Sequence, residues 1–283
     1  MTRNQWLGFG AAAFVVGFVA ILAMRRPDEG GGGATADQSD QPEIAVKTRE
    51  EENDKLIHSL VVLTAGTAYL LMASGGGRKP KEGGRELFWM RYVDWSITTP
   101  LLLTSLGLTA LGTPFRRWGL LLGTLFTDLY MIATGYLADE APKDSSMKWS
   151  WYGVSTGAFV GLYYLLWGPL REESEKTGEE AADVYRRNLT FLSIVWAGYP
   201  VNFLIGPEAL ELIDDDTSTG IYTGLDIAAK ILFGLYSLSN TQEKAARALA
   251  DGRVPEHELR PAPAAHHEVW EPGSSEERRG RGG

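Results

Sequence analysis

The 283-residue chain contains no cysteine. That excludes disulfides and thiolate-ligated metal. Histidine is almost as scarce. Of the four present, only His58 falls in an apolar stretch, while His257, His266 and His267 lie near the C-terminus, so a histidine metal site is not expected. Positive charge is in deficit, with 27 Lys and Arg against 36 Asp and Glu and a net charge of −9. With no basic stripe interleaved with aromatics, that balance argues against nucleic acid as a partner. No nucleophile–base pair and no metal cluster stands out, so the chain is not read as an enzyme. The mean hydropathy, −0.13, is near neutral. Much of the acidity sits at 50–54, at Asp214, Asp215 and Asp216, and in the C-terminal region, and is read as loop and tail charge.

The apolar residues are nonetheless gathered into blocks, at 6–24, 56–73, 87–111, 118–138, 149–170, 189–205 and 221–238. Each is close to the ~20 residues that a bilayer-spanning helix needs. A signal peptide is the competing reading of the first, but it is long enough to span and no small-residue cleavage pattern precedes Arg25 and Arg26. The expected fold is an all-α membrane protein, a bundle of seven transmembrane helices. Residues 1–26 hold the N-terminus and first helix, 27–53 a flexible Gly-rich and acidic cytoplasmic loop, 54–240 the other six helices, and 241–283 a largely disordered cytoplasmic tail.

Basic residues give the orientation. With the N-terminus outside, the inner side carries Arg25, Arg26, Lys47, Arg49, Lys55, Arg116, Arg117, Arg171, Lys176, Arg186 and Arg187. The outer side carries Arg3, Arg78, Lys79, Lys81, Arg85, Lys143 and Lys148. The bias is modest and places the C-terminus in the cytoplasm of a multi-pass cell-membrane protein.

Two helices carry charge where lipid cannot satisfy it. In the third, Asp94, Thr98 and Ser105 are offset by four and eleven residues and share one helix face, with Arg91 one turn before Asp94. A snorkelling arginine would explain Arg91 but not the deeper Asp94. In the seventh, Asp226 and Lys230 are one turn apart. A lysine in mid-membrane costs at least ~2.5 kcal/mol, so it needs a partner or a chemical task. One reading is an Asp–Lys ion pair joining helices. The other is a lysine whose amine forms a Schiff base with a carbonyl compound, with Asp94 and Asp226 as counter-ions.

The third-helix run containing Arg91, Tyr92, Asp94, Trp95, Thr98, Thr99, Pro100 and three leucines closely resembles the helix-C signature of microbial (type 1) rhodopsins. The run Leu225, Asp226, Ala229, Lys230 resembles their retinal-binding helix. The resemblance extends over roughly 4–240. It implies all-trans-retinal bound covalently to Lys230, with Asp94 as primary proton acceptor, Asp226 as second counter-ion, and Arg91 on the extracellular side. Thr98 is expected to offer Asp94 a hydroxyl. Tyr69 and Tyr199 match tyrosines that bond the second counter-ion. Tyr69, Trp95, Thr99, Leu102, Met131, Gly135, Tyr152, Ser155, Thr156, Phe159, Trp196, Tyr199, Pro200 and Phe203 fall at retinal-pocket positions. Leu102 suggests green absorption, and Asp128 matches a protonated, structural aspartate that bridges helices.

The chain departs from the archaeal outward pumps at Ser105, where they carry a proton-donating carboxylate. The Asp-Thr-Ser pattern resembles a bacterial subgroup related to rhodopsins with Asp-Thr-Gly. His58, which faces that position in the family's arrangement, is the candidate substitute donor or relay, its unperturbed pKa near 6.5 suiting reversible protonation. A neutral histidine bonded to Ser105, or reloading by water alone, are the alternatives. On the exit side Glu208 matches one of a pair of release glutamates, but its companion position is Ser218. Glu211 and Asp214–216 are read as solvated loop charge.

The resemblance thus implies a light-driven outward proton pump in the lipid bilayer, a homo-oligomer, with protons as its cargo. A photosensor signalling to a transducer protein is the alternative, for which the tail shows no signalling domain. Chloride transport is disfavoured by the carboxylate at Asp94, and sodium transport by the absent Asn-Asp-Gln pattern.

Overall fold

The computed structural model describes residues 1–24, 42–81, 84–112, 117–143 and 145–250, with the side chains of 42–51 and 245–250 left out of the description. The described residues form seven helical rods. The first is α1 (Arg3–Ala23) and the second α2 (Pro42–Ala73). A short antiparallel pair, β1 (Lys79–Pro80) with β2 (Glu86–Leu87), leads into α3 (Trp89–Leu111) and then α4 (Trp118–Glu140). The fifth rod is α5 (Ser146–Leu165), continued through a π turn at Leu166–Leu170 into α6 (Arg171–Thr177). Gly178, at φ 140°, breaks it before α7 (Glu179–Ile205). The seventh rod is α8 (Asp215–Asp226), a π turn at Ile227–Leu232, and α9 (Phe233–Ala250).

The rods close into a ring. α1 packs on α2, α2 on α3, α3 on α4, α4 on α5, α6 on α7, α7 on α8, and α8 closes back onto α1. α3 also reaches α6 and α7, which puts its polar face at the centre. Local chemistry sets the ends. Thr2 and Gln5 form a reciprocal capping box at α1, with Thr2 N donating to Gln5 Oε1 at 2.9 Å, and Ser145 and Asp214 cap α5 and α8.

The burial pattern is inverted relative to a water-soluble protein. Val15, Val16, Phe126, Val160, Tyr164 and Ile194 are more than half exposed, while Arg91, Asp94, Asp128, Asp226 and Lys230 are buried. Among the described residues, five helices are long and apolar enough to cross a membrane: Arg3–Ala23, Glu52–Ala73, Trp118–Glu140, Glu179–Ile205 and Asp215–Lys244. α3 and α5 complete the bundle beside them. An apolar outside around a charged inside is stable only where hydrocarbon replaces water.

One boundary differs from the sequence reading. Residues 42–53, expected in a flexible loop, are the opening turns of α2. Pro42 fits the first turn of a helix, and the Glu-, Lys- and Arg-rich run after it has high helical propensity, so the helix outlasts its apolar portion. The rest of that loop, 27–41, and the tail from 251 lie outside the described residues, while the chain remains helical through Ala250.

Candidate functional site

Lys230 stands in the π turn of the seventh rod, and its side chain is 1% exposed. π turns insert one extra residue into a helix and concentrate at functional positions. The amine donates to Asp226 Oδ1 at 2.9 Å and to the Asp94 carboxylate on α3. Two carboxylates therefore flank one buried amine.

The carboxylates are not equivalent. Asp226 Oδ1 also accepts from Tyr199 at 2.9 Å and from Trp95 Nε1 at 3.2 Å, and Oδ2 accepts from Tyr69 at 2.7 Å. Asp94 Oδ2 meets Lys230, but Asp94 Oδ1 meets no hydrogen-bond partner among the described residues. Thr98, expected to offer this carboxylate its hydroxyl, lies beside it and also donates to the backbone carbonyl of Asp94 at 2.8 Å. A helical threonine has that carbonyl within reach one turn back, so the hydroxyl serves both groups.

Toward the β1–β2 end, Arg91 is buried and makes no ion pair with Asp94. Its guanidinium lies 4.1 Å from the Tyr222 ring centroid and 5.1 Å from that of Phe88. Glu208 is buried beyond it, just past α7, and Lys148 Nζ donates to the Glu208 backbone carbonyl at 2.6 Å. Burial pushes the Glu208 carboxyl up, against the pull of the Arg91 and Arg85 guanidiniums. Ser218 accepts from Asn202 Nδ2 at 3.2 Å. The loop acids are engaged elsewhere: Glu211 pairs with Lys143, Asp215 with Arg3, Asp216 accepts from the Arg3 backbone, and Asp214 caps α8.

A cavity runs from Lys230 between α3, α4, α5 and α7, and every residue expected at the retinal wall lines it except Tyr69. Tyr69 stands behind Asp226 and contacts it through its hydroxyl. Tyr92, Ile132, Tyr222 and Ala229 also line the cavity and were not anticipated. Tyr92 was legible, since 92, 95, 99 and 102 make one helical stripe. Asp128 accepts from Thr99 Oγ1 at 2.6 Å and joins α4 to α3. At Gly135 a Cβ would come within 3.2 Å of Ser155 Oγ, so glycine keeps that wall open. The slot is walled by aromatic and aliphatic groups, and Lys230 supplies the one amine among its lining residues. That donor set fits a long apolar carbonyl compound joined through a lysine.

At the opposite end of α3, Ser105 and His58 come together as expected, with His58 Nε2 3.4 Å from Ser105 Oγ. A third member was missed. Ser105 Oγ donates to Asp54 Oδ1 at 2.5 Å, and Asp54 Oδ1 lies 3.5 Å from His58 Nε2. Asp54 is buried in α2 rather than in loop charge. Its place one turn before His58 was the available signal.

Comparison with known proteins agrees with this geometry. Residues 43–243 match the model of a family described as bacteriorhodopsin-like protein. The chain is 31% identical to a bacteriorhodopsin-II-like protein of Haloquadratum walsbyi over 244 residues, 84% of this chain and 90% of that one. It is 34% identical to sensory rhodopsin-2 of Natronomonas pharaonis over 62% of this chain and 70% of that one. Among solved structures, a thermophilic rhodopsin from Rubrobacter xylanophilus superposes with a TM-score of 0.72 at 29% identity, covering 86% of this chain and 97% of that one. The chain belongs to the bacteriorhodopsin-like family of type 1 rhodopsins, seven-helix membrane proteins that bind retinal covalently through a lysine.

Proposed function

We propose that this rhodopsin is a light-driven outward proton pump whose retinal is joined to Lys230. Members of the family are multi-pass plasma-membrane proteins that act as light-driven transporters or sensors rather than enzymes. When bound, retinal supplies visible absorption and a light-driven isomerisation that lowers the proton affinity of the nitrogen it shares with the lysine. The chain's residues hold and move the proton. The observation that carries the reading is the unequal state of the two carboxylates at the Lys230 amine.

Asp226 already accepts from four side-chain donors, whereas Asp94 Oδ1 meets no partner among the described residues. Asp94 is therefore the acceptor and Asp226 the fixed counter-ion. Arg91, Tyr222 and Glu208 line the way onward to the side bearing the N-terminus, which the basic-residue bias makes extracellular. The Ser105 end then faces the cytoplasm, with the C-terminus, and the Lys230 nitrogen is reloaded from there through His58.

The test is illumination of lipid vesicles or cells carrying the pigment while external pH is followed with and without a protonophore. Acidification outside cells, abolished by the protonophore, is expected. Visible pigment without a pH change would instead favour a photosensor, the reading that the missing acid at Ser105 keeps in play. A pigment that persists in Lys230→Ala without added amine would sink the attachment itself.

A further inference from the structure

The acid that helix α3 lacks has a counterpart on its neighbour. Ser105, Asp54 and His58 form one buried triad across α3 and α2, with contacts of 2.5, 3.4 and 3.5 Å. Thr241 on α9 offers its hydroxyl to Asp54 Oδ2 at 3.4 Å. Among the described residues no lysine or arginine lies within ion-pair distance of Asp54, so its titratable partner is the His58 imidazole. At this distance a proton on either the carboxyl or the imidazole lies within reach of the other.

The triad sits between a polar route and an apolar seal. Outward from Asp54, Thr241 also donates to the Ser237 carbonyl at 3.1 Å, Asn188 donates to Ser237 Oγ at 3.0 Å, and Asn240 donates to Asn188 Oδ1 at 2.7 Å. These groups are buried or nearly so and tie α7 to α9. Inward, the His58 ring meets Phe233 at 5.6 Å between centroids, and Phe233 lies three residues past Lys230 on the same rod. Val61, Leu102, Leu106 and Phe233 are fully buried in one apolar cluster that includes this ring.

We propose that Asp54, not His58 alone, is the proton store that reloads Lys230, with His58 as the relay facing the lysine and Ser105 as the hydroxyl that fixes the carboxyl. This rests on the pump reading above. In the step, the proton held by the Asp54–His58 pair leaves it and an N–H bond forms at Lys230 Nζ. The pair, left one proton short, is refilled from the cytoplasm along the Thr241, Ser237 and Asn188 line. The donor has moved from α3 to α2, while its neighbour on α3 has shrunk to a serine that hydrogen-bonds it.

The full-length pigment in lipid vesicles gives the test, by flash spectroscopy of the return of the protonated chromophore and by light-driven pH change. Asp54→Asn is expected to slow the return by about a hundred-fold, the contribution of a positioned proton donor. The rate should become proportional to bulk proton concentration, be restored by azide, and be largely retained in Asp54→Glu. Ser105→Ala, which keeps the acid but removes its clamp, should also alter the return. Recovery in Asp54→Asn and Ser105→Ala within two-fold of the wild type, with the same pH profile, overturns the proposal. A readout independent of pigment is the imidazole nitrogen spectrum of His58 in retinal-free protein. It should shift in Asp54→Asn, and an unshifted spectrum also overturns the pairing. A wild type that recovers normally but moves no protons defeats the pump reading instead, and the comparison of recovery rates tells the two failures apart.

Discussion

Tyr69 reaches from α2 to donate its hydroxyl to Asp226 Oδ2 at 2.7 Å, and among the described residues it is the one side-chain donor to that oxygen. Both groups are buried. Tyr69→Phe leaves a carboxylate oxygen without a partner in a place water reaches poorly. A hydrogen bond to a charged group contributes about 1.5–3 kcal/mol, and the variant should lose stability of that order. Thermal unfolding of the retinal-free protein measures it. The same change weakens the hydrogen bonding that separates Asp226 from Asp94, so the variant's colour should also become more sensitive to acid than the wild type's.

Asp94→Asn and Asp226→Asn should have different consequences. The first removes the oxygen with room for a proton, so pigment should form while proton transport falls to background. The second breaks a carboxylate that meets Tyr69, Trp95, Tyr199 and Lys230 together, so pigment yield and thermal stability should fall first. Equal pumping by Asp94→Asn and the wild type would reverse the assignment of acceptor and counter-ion.

Glu208 gives a pH dependence with a definite sign. Burial raises its carboxyl above the usual range, so it is neutral in acid and ionised above that raised value. When ionised it can take the proton passed on from Asp94, and when neutral it cannot. Release to the outer solution should therefore precede recovery at high pH and follow it at low pH. Glu208→Gln should show late release at every pH, as read by a pH-indicator dye with flash excitation.

Asp214 tests a structural linkage away from the chemistry. Its carboxylate accepts from the Thr217 backbone N–H at 2.7 Å, and that bond holds its pKa below the usual carboxylate range. A depressed folded value means that the cap's contribution is present above the ordinary Asp pKa and is lost as pH falls through the lower one. Asp214→Ala should lower the melting temperature at neutral pH and lose most of that effect in strong acid. Asp214→Asn should retain the cap at both.

The seven segments and the two charged helices were legible because hydropathy blocks and an i, i+4 spacing survive translation into structure. Asp94, Thr98 and Ser105 do share a buried face, and Asp226 and Lys230 do meet. Four things were not legible. The π turn at Ile227–Leu232 carries no proline or glycine to announce it. Helix over 42–53 was hidden because a charged run without apolar period reads equally as loop. Thr98 divides its hydroxyl between the Asp94 carboxyl and the Asp94 backbone carbonyl, a sharing that residue spacing alone does not give. Asp54 was masked by the acids around it, since a charge run says nothing about which member the bundle buries.

The π turn has a mechanical consequence. At its two edges single amides are shared between two carbonyls: Ile227 N–H with Thr223 and Gly224, and Phe233 N–H with Ala228 and Lys230. A shared amide can pass from one acceptor to the other with little change in energy, so the two edges of the π turn are where the rod is expected to give. A push on the lysine nitrogen should then be taken up as a swing of α9 against α8 rather than as unwinding. Phe233, which seals the path beneath His58, and Thr241, which touches Asp54, both ride on the swinging half. On the pump reading the lysine would then act as a crank, its displacement carrying with it the aromatic ring that lies against His58.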